Sequence, residues 1–435
     1  MIAARARCAG ALLVAALAAC TGPDTSTLPG DRPQEEQPSA PPITVPVIVP
    51  TGSEIAGPLL DAMRVAMDDA AEEGVALQLD LRETADPAAE LVATVQGRPP
   101  AVFVLGDGQA VVGLRTEIEA SRVPVIVVGD DLYSSRSLFR YAFQTSIPLW
   151  WQARVLATYL LEDRGERNVT VLVPDDGEAT VAEAAFGAAF SEEAGIPPTV
   201  AVVSPESGPA GNRRAITGAE AVIALGPPGH AAAVGNLLGQ SADPARLVIG
   251  SSSLSHLIGP QAPPGTAVVY PYTWAGWADM IPRVHSFRER FMAEYARPPT
   301  GPEQEGYDAV MAIAEALRTT GGRGGDALVR VLESFRDQTY SALPIRLGPD
   351  DHVFAEQSQL GLFAVEAPGA AAPGEALGAV PWRPIMRTFT TDGEKVNLLD
   401  RDKKVFFPFW HEKRPSPKYW RSRYGIVSRP TDPLH

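Results

Sequence analysis

From residue 43 to about residue 270, short apolar runs alternate with stretches whose apolar positions fall three and four apart. The runs are Val45–Val49, Leu77–Leu81, Ala101–Leu105 and Pro124–Val128, then Val169–Val173, Thr199–Val203, Ala221–Leu225 and Leu247–Gly250. Runs this short suit strands buried on both faces of a parallel sheet. Between them, Leu59, Met63, Ala66, Met67 and Ala70 share one face of a predicted helix. Leu149, Ala153, Leu156 and Leu160 share one face of another at the start of the second set. Such alternation predicts an α/β fold of doubly wound, Rossmann-like sheets, with ligands in the crevice at the carboxyl ends of the strands. Two sets of runs predict two similar lobes.

The pattern breaks down at both ends. Arg5 and Arg7 precede an apolar run, Ala9 to Ala18, that falls short of the roughly 20 residues a membrane-spanning helix needs. Residues 1–19 therefore read as a secretory signal peptide. Thr21 to Pro42 is Pro, Ser, Thr, Gly and acidic residues with hardly an apolar side chain. It cannot offset its ordering entropy and is expected to form a disordered tether, with a stretched reach of about 70 Å. Residues 367–435 form an irregular C-terminal extension, basic and aromatic, in which recurring prolines argue against one amphipathic helix. It carries Phe406, Phe407, Phe409, Trp410, Tyr419, Trp420 and Tyr424. These either pack on the acidic body or form a contact with a partner or an anionic surface, since freely exposed aromatics are an aggregation hazard.

Charge sharpens this division. The chain carries a net charge of −15, yet residues 382–435 hold 12 of the 37 Lys+Arg and only 6 of the 52 Asp+Glu. The body is thus strongly acidic and is not expected to bind nucleic acid, because phosphate contacts need clustered positive charge. The first lysine after the start of the chain is Lys395. The body therefore has no Walker-type lysine, Schiff-base lysine or Ser-x-x-Lys nucleophile. Gly250-Ser251-Ser252-Ser253 lacks the Gly-x-Ser-x-Gly elbow, and the six histidines show no metal-ligand spacing. The 2 cysteines are Cys8, inside the signal, and Cys20, so no disulfide and no cysteine-ligated metal is expected in the body. The acidic pairs Asp130-Asp131, Asp175-Asp176 and Asp350-Asp351 are adjacent residues in loops, not the separated carboxylates of a glycosidase. The expectation is a protein that is not an enzyme, with no cofactor and no metal.

Two resemblances give these features a context. Leu17-Ala18-Ala19-Cys20 resembles a bacterial lipoprotein signal, which implies lipidation of Cys20 and a membrane-tethered protein of the cell envelope. Thr21 in place of Asp resembles an outer-membrane address. The body, over roughly residues 43–366, resembles the type I periplasmic solute-binding proteins, particularly the branched-chain amino-acid receptors. The matching pieces are Val104-Leu105-Gly106, Val123-Pro124-Val125-Ile126, Phe143-Gln144-Thr145 and Val169 to Val173 ahead of Asp175-Asp176. Phe287 to Tyr295, Arg297-Pro298-Pro299-Thr300 and Gly306-Tyr307-Asp308-Ala309-Val310 follow in the same order as in that family.

The resemblance implies two lobes joined by a three-strand hinge, with crossings near Thr145, Tyr272 and Leu343. It assigns residues 43–145 and 273–343 to the N-terminal lobe, and 146–272 and 344–366 to the other. Candidate ligand-binding loops follow the strands: Thr51, Gly52 and Ser53; Gly108 and Gln109; Gly129, Asp130 and Asp131. The second lobe offers Asp175, Asp176, Gly226, Ser251 and Ser252. Tyr270, Tyr272 and Trp274 sit at the expected recrossing, where ligand contact and hinge packing are both open. In amino-acid-binding relatives, first-lobe hydroxyls and backbone N–H groups hold the ligand's carboxylate. Here Gly108-Gln109 stands where a Ser is usual, and Gly129-Asp130-Asp131 where Ser-Ala-Thr is usual. Asp131 would repel a carboxylate, so amino-acid specificity does not carry over. The resemblance implies a receptor that closes on a small polar ligand and serves an ABC-type importer through a membrane permease. A ligand-silent lipoprotein scaffold that binds an envelope protein, such as a cell-wall synthase, is the alternative.

Overall fold

The computed structural model describes residues 41–129, 139–173, 178–194, 199–202, 216–225, 233–234, 236–238, 247–250, 267–273, 282–297, 299, 301–341, 344–354, 360–365, 382–384, 388–389 and 395–396. Cys20, the tether through residue 40, and the tail's aromatic cluster from Phe406 to Tyr424 lie outside these residues.

The first lobe is built on a five-stranded parallel sheet in the order β2-β1-β3-β4-β5. Its strands are β1 (Ile43–Pro50), β2 (Leu77–Thr84), β3 (Val102–Leu105), β4 (Val125–Val128) and β5 (Ala142–Gln144). Every residue of β3, β4 and β5 is buried, as the apolar runs require. Helices α1 (Ala56–Glu72), α2 (Pro87–Gln96), α3 (Gly108–Gly113) and α4 (Arg115–Ser121) connect them. The start of α2 is specified locally: Asp86 accepts the Ala89 N–H at 3.0 Å, and Pro87 occupies the first turn, where no N–H is needed. The predicted face of α1 is the observed one, with Leu59, Met63, Ala66 and Ala70 buried and Met67 packed against the same core.

The second lobe opens with α5 (Leu149–Thr158), which continues as a π-helical turn over Tyr159–Arg164. Leu149, Ala153, Leu156 and Leu160 are all buried in its core. Then come β6 (Val169–Val173), α6 (Glu178–Ala194), β7 (Thr199–Val202), β8 (Ala221–Ala224), β9 (Leu247–Gly250) and β10 (Ala267–Thr273). These five strands are parallel neighbours in the order β10-β9-β8-β6-β7. The strand β10 runs through Thr273, so Tyr270 and Tyr272 lie within the sheet, and the recrossing comes after them.

The chain then returns to the first lobe with α7 (Pro282–Tyr295), α8 (Gly301–Thr320) and α9 (Gly325–Leu332). Phe287 and Phe291 of α7 and the buried face of α8 complete the first-lobe core. The hairpin β11 (Arg336–Thr339) and β12 (Pro344–Arg346) follows. Here the sequence reading is corrected. Ile345 and Leu347 pack in the first-lobe core, not the second, so the last crossing comes beyond Leu347 and not near Leu343. Val353 already joins the second-lobe cluster while Phe354 remains in the first. This crossing is hydrogen-bonded to the first one. Gln144 N–H donates to the His352 carbonyl at 3.0 Å, and Phe354 N–H donates to the Gln144 carbonyl at 2.9 Å.

The strand β13 (Leu360–Val365) then pairs antiparallel with β10. A second departure lies in the extension, expected to be irregular. Residues Trp382–Pro384 form β14, which pairs antiparallel with β13 as the outermost strand of a seven-stranded sheet. A two-stranded ladder of β15 (Thr388–Phe389) and β16 (Lys395–Val396) follows.

Candidate functional site

The candidate loops lie at the carboxyl edge of the first sheet, where doubly wound folds bind ligands. After β1, the Thr51 N–H donates to the Thr84 carbonyl at 2.8 Å and the Ser53 N–H to the Pro50 carbonyl at 3.1 Å. This turn needs Gly52, whose φ is +78°. Thr51 and Gly52 are exposed, and Ser53 is half-buried. After β3, Asp107 caps α3 by accepting the Ala110 N–H at 2.9 Å. Gly108 and Gln109 are therefore the first residues of that helix, Gly108 buried and Gln109 exposed. The side chain of Ile55 fills the space between the ends of β3 and β4. Its Cδ1 would stand 2.9 Å from a Cβ at Gly106 and 3.0 Å from one at Gly129.

The donors at the end of β4 and beyond β5 turn toward one side chain. The Gly129 N–H lies 3.1 Å from Glu305 Oε2, and the Thr145 hydroxyl lies 3.1 Å from the same oxygen. The Ser146 hydroxyl donates to it as well. Glu305 stands in the first turns of α8, which is held close to α1: a Cβ at Gly306 would lie 2.6 Å from the Leu59 carbonyl oxygen. One turn on, Asp308 accepts the Ser341 N–H at 2.8 Å, and the Ser341 hydroxyl donates to the Gln304 carbonyl at 3.2 Å. Burial pushes the Asp308 carboxyl up to about 7, against the partial pull of the Ser341 hydrogen bonds and the Arg283 charge. Burial likewise pushes the Tyr307 and Tyr340 hydroxyls up, reinforced by the carboxylates of Asp69 and Glu315 that they bond.

The paired crossings carry a buried histidine. His352 stacks on Phe143 with ring centroids 4.2 Å apart. Its Nδ1 lies 3.2 Å from the Phe139 carbonyl and 3.0 Å from the Ala142 carbonyl, so Nδ1 carries a proton that only acceptors face. Nε2 is 3.4 Å from Glu333.

The structure brings Thr51 to Ser53, Gly108, Gln109 and Gly129 to one sheet edge. It sets Tyr270 opposite Phe363 and Tyr272 opposite Gly361 within the second sheet. Asp130, Asp131, Asp175, Asp176, Gly226, Ser251, Ser252 and Trp274 lie outside the described residues. Asp350-Asp351 is a turn, with Asp351 and Gly348 exchanging backbone hydrogen bonds at 2.9 and 3.1 Å. Sequence reasoning did not find Glu305 or Ser146. Nothing local connects them, since they come together only through the packing of α8 over the ends of β4 and β5. Among the described residues, no group of three His, Cys, Asp or Glu is arranged to hold a metal ion, and no helix is long and apolar enough to cross a membrane.

Two lobes of this topology, with their ligand edges joined by repeated crossings, define a two-lobed binding protein. The chain belongs to the periplasmic binding protein family, whose sequence profile matches residues 42–366. That family consists of extracytoplasmic solute-binding receptors. Among solved structures, the chain is similar to the leucine-binding protein LivK of Thermotoga maritima, with a TM-score of 0.60 and 15% identity over 78% of this chain and 97% of that one. It is similar to LivJ of Streptococcus pneumoniae, a branched-chain amino-acid transporter substrate-binding protein solved with isoleucine, with a TM-score of 0.62 and 13% identity over 80% and 100%. It is also similar to a fatty acid ABC transporter substrate-binding protein of Thermomonospora curvata, with a TM-score of 0.64 and 13% identity over 81% and 93%. At these identities the likeness is one of fold. No curated protein matches in sequence.

Proposed function

We propose that this protein is the substrate-binding component of an ABC-type importer. It is tethered to the cell envelope through lipidated Cys20 and closes its two lobes over a small polar solute. The observation that carries this reading is the match of the receptor family to residues 42–366, which takes in the first sheet and all of the second but β14. Hinge motion between such lobes is the means of capture. The solved relatives named above serve transport of branched-chain amino acids and of fatty acids, so the fold leaves the solute open.

The first-lobe rim narrows the choice. Its described donors at β4 and β5 are engaged by Glu305, Asp107 adds an acidic residue at the same edge, and the sequence continues past Gly129 with Asp130 and Asp131. Carboxylates repel one another, so a neutral or cationic polar solute is favoured over an amino acid held by its carboxylate. Native mass spectrometry of the purified chain, followed by calorimetry with leucine and valine, tests the proposal. A retained small organic mass and no binding of either amino acid are expected. Tight leucine or valine binding at neutral pH overturns the ligand assignment. No retained mass and no binding across a panel of polar solutes overturns the receptor reading in favour of a ligand-silent scaffold.

A further inference from the structure

Two strand ends and one helix meet at a single oxygen. Gly129 closes β4, Thr145 and Ser146 lie just beyond β5, and the N–H of the first and the hydroxyls of the other two all donate to Glu305 Oε2. The Thr145 hydroxyl also lies 3.4 Å from the Val127 carbonyl, but the carboxylate at 3.1 Å is the nearer and the charged acceptor. Hydroxyls and a backbone amide converging at a strand edge form a niche for a carboxylate. The helix that delivers Glu305 cannot slide away, because Gly306 rests on the backbone of Leu59 and Gln304 is buried beside it. Gly129, left-handed with φ +80°, donates its N–H to this oxygen.

We propose that Glu305 is a built-in carboxylate. It fills an anion niche at the ends of β4 and β5 and, as a specificity-determining residue, denies those donors to any carboxylate of a bound solute. The exclusion of solute carboxylates rests on the receptor reading above; the niche itself does not, and is tested without any solute.

The test is chemical rescue in the full chain. Replacing Glu305→Ala leaves three donors facing a space that an acetate ion can enter. The variant is expected to melt below the wild type, and 0.5 M sodium acetate is expected to raise its melting temperature by roughly 2 °C over 0.5 M sodium chloride at the same pH. The wild type, whose niche is filled, gives the general effect of acetate on stability, and Glu305→Ala should gain clearly more than that. Adding Ser146→Ala to Glu305→Ala should bring the gain down to the wild-type level. A gain from acetate no larger in Glu305→Ala than in the wild type overturns the niche, because a helix residue acting only through packing gives no anion selectivity beyond the general salt effect. Should Glu305→Ala not fold, Glu305→Gln decides the matter: it keeps the shape and loses the charge-assisted bonds, and is expected to melt several degrees lower. Melting of Glu305→Gln at the wild-type temperature overturns the proposal. A rescued niche in a chain that binds no solute refutes the receptor reading alone, so the two failures are separable.

Discussion

At the scale of single residues, Asp308 is the group whose environment most changes its chemistry. It sits one turn beyond Glu305 and holds Ser341, which lies between β11 and β12. Its carboxyl titrates at about 7 in the folded protein against an ordinary value of 3.8, because burial disfavours the charged form. Between these two values the folded chain keeps a proton that the unfolded chain has lost. Stability from this group is therefore complete below about pH 4 and drains away as the pH rises through about 7, with a slope of at most about 1.4 kcal/mol per pH unit. Glu72, pulled down by its hydrogen bond from Arg290, and Asp326, pulled down by that from Tyr141, act in the opposite sense, so the raw profile mixes signs. The difference between wild type and Asp308→Asn isolates the contribution of this one carboxyl. The amide oxygen can still accept the Ser341 N–H, and the variant cannot ionise. Its melting temperature relative to wild type should climb steadily from pH 4.5 to pH 7.5. A difference that stays constant across that range would show that Asp308 does not titrate there.

At the scale of elements, the close approach of α1 and α8 explains a glycine that sequence alone makes only a motif letter. Any side chain at Gly306 meets the Leu59 carbonyl at 2.6 Å, backbone against backbone, with no flexible atom to yield. Gly306→Ala should therefore cost about 1–3 kcal/mol in urea unfolding as the helices part, although alanine is the better helix former by about 1 kcal/mol. Gly187, inside α6 with nothing within 4 Å of its would-be Cβ, supplies the control, and Gly187→Ala should be neutral or stabilising. If both substitutions stabilise alike, the helix contact is not tight. The same contrast marks what the sequence could reveal. Most strands were legible because burial on both faces demands apolar residues, and the eight predicted runs coincide with β1 to β4 and β6 to β9 within a residue or a few. The exception in burial is β2, an edge strand with no buried residue whose Leu81 is exposed. Strand β5 is three residues long and ends in Gln144, and β11 reads Arg-Asp-Gln-Thr, so neither carries that signal. The niche around Glu305 was not legible at all, since its parts are about 160 residues apart in the chain and joined only by helix packing.

At the scale of the whole molecule, the chain joins an acidic two-lobed body to two ends of different character, and these ends should fail differently. The N-terminal end is expected to act through Cys20 alone, because the tether behind it has too few apolar residues to hold a membrane. The C-terminal end begins as part of the fold: β14 covers the outer edge of β13, whose sequence Leu-Gly-Leu-Phe-Ala-Val would otherwise offer an open apolar strand. Its basic excess, 12 Lys+Arg against 6 Asp+Glu in residues 382–435, opposes the sign of the body and favours docking onto it. Cys20→Ser should thus move the protein from the membrane fraction to the soluble one with its melting temperature unchanged. Deleting residues 382–435 should do the reverse, leaving the chain on the membrane while lowering its melting temperature and promoting aggregation through the bared strand. Fractionation with a high-salt wash and thermal melts of the two variants read both outcomes. Retention of the Cys20→Ser chain on membranes after the wash refutes the lipid anchor. Release of the truncated chain with an unaltered melt instead makes the tail a contact with the envelope and not a part of the second lobe.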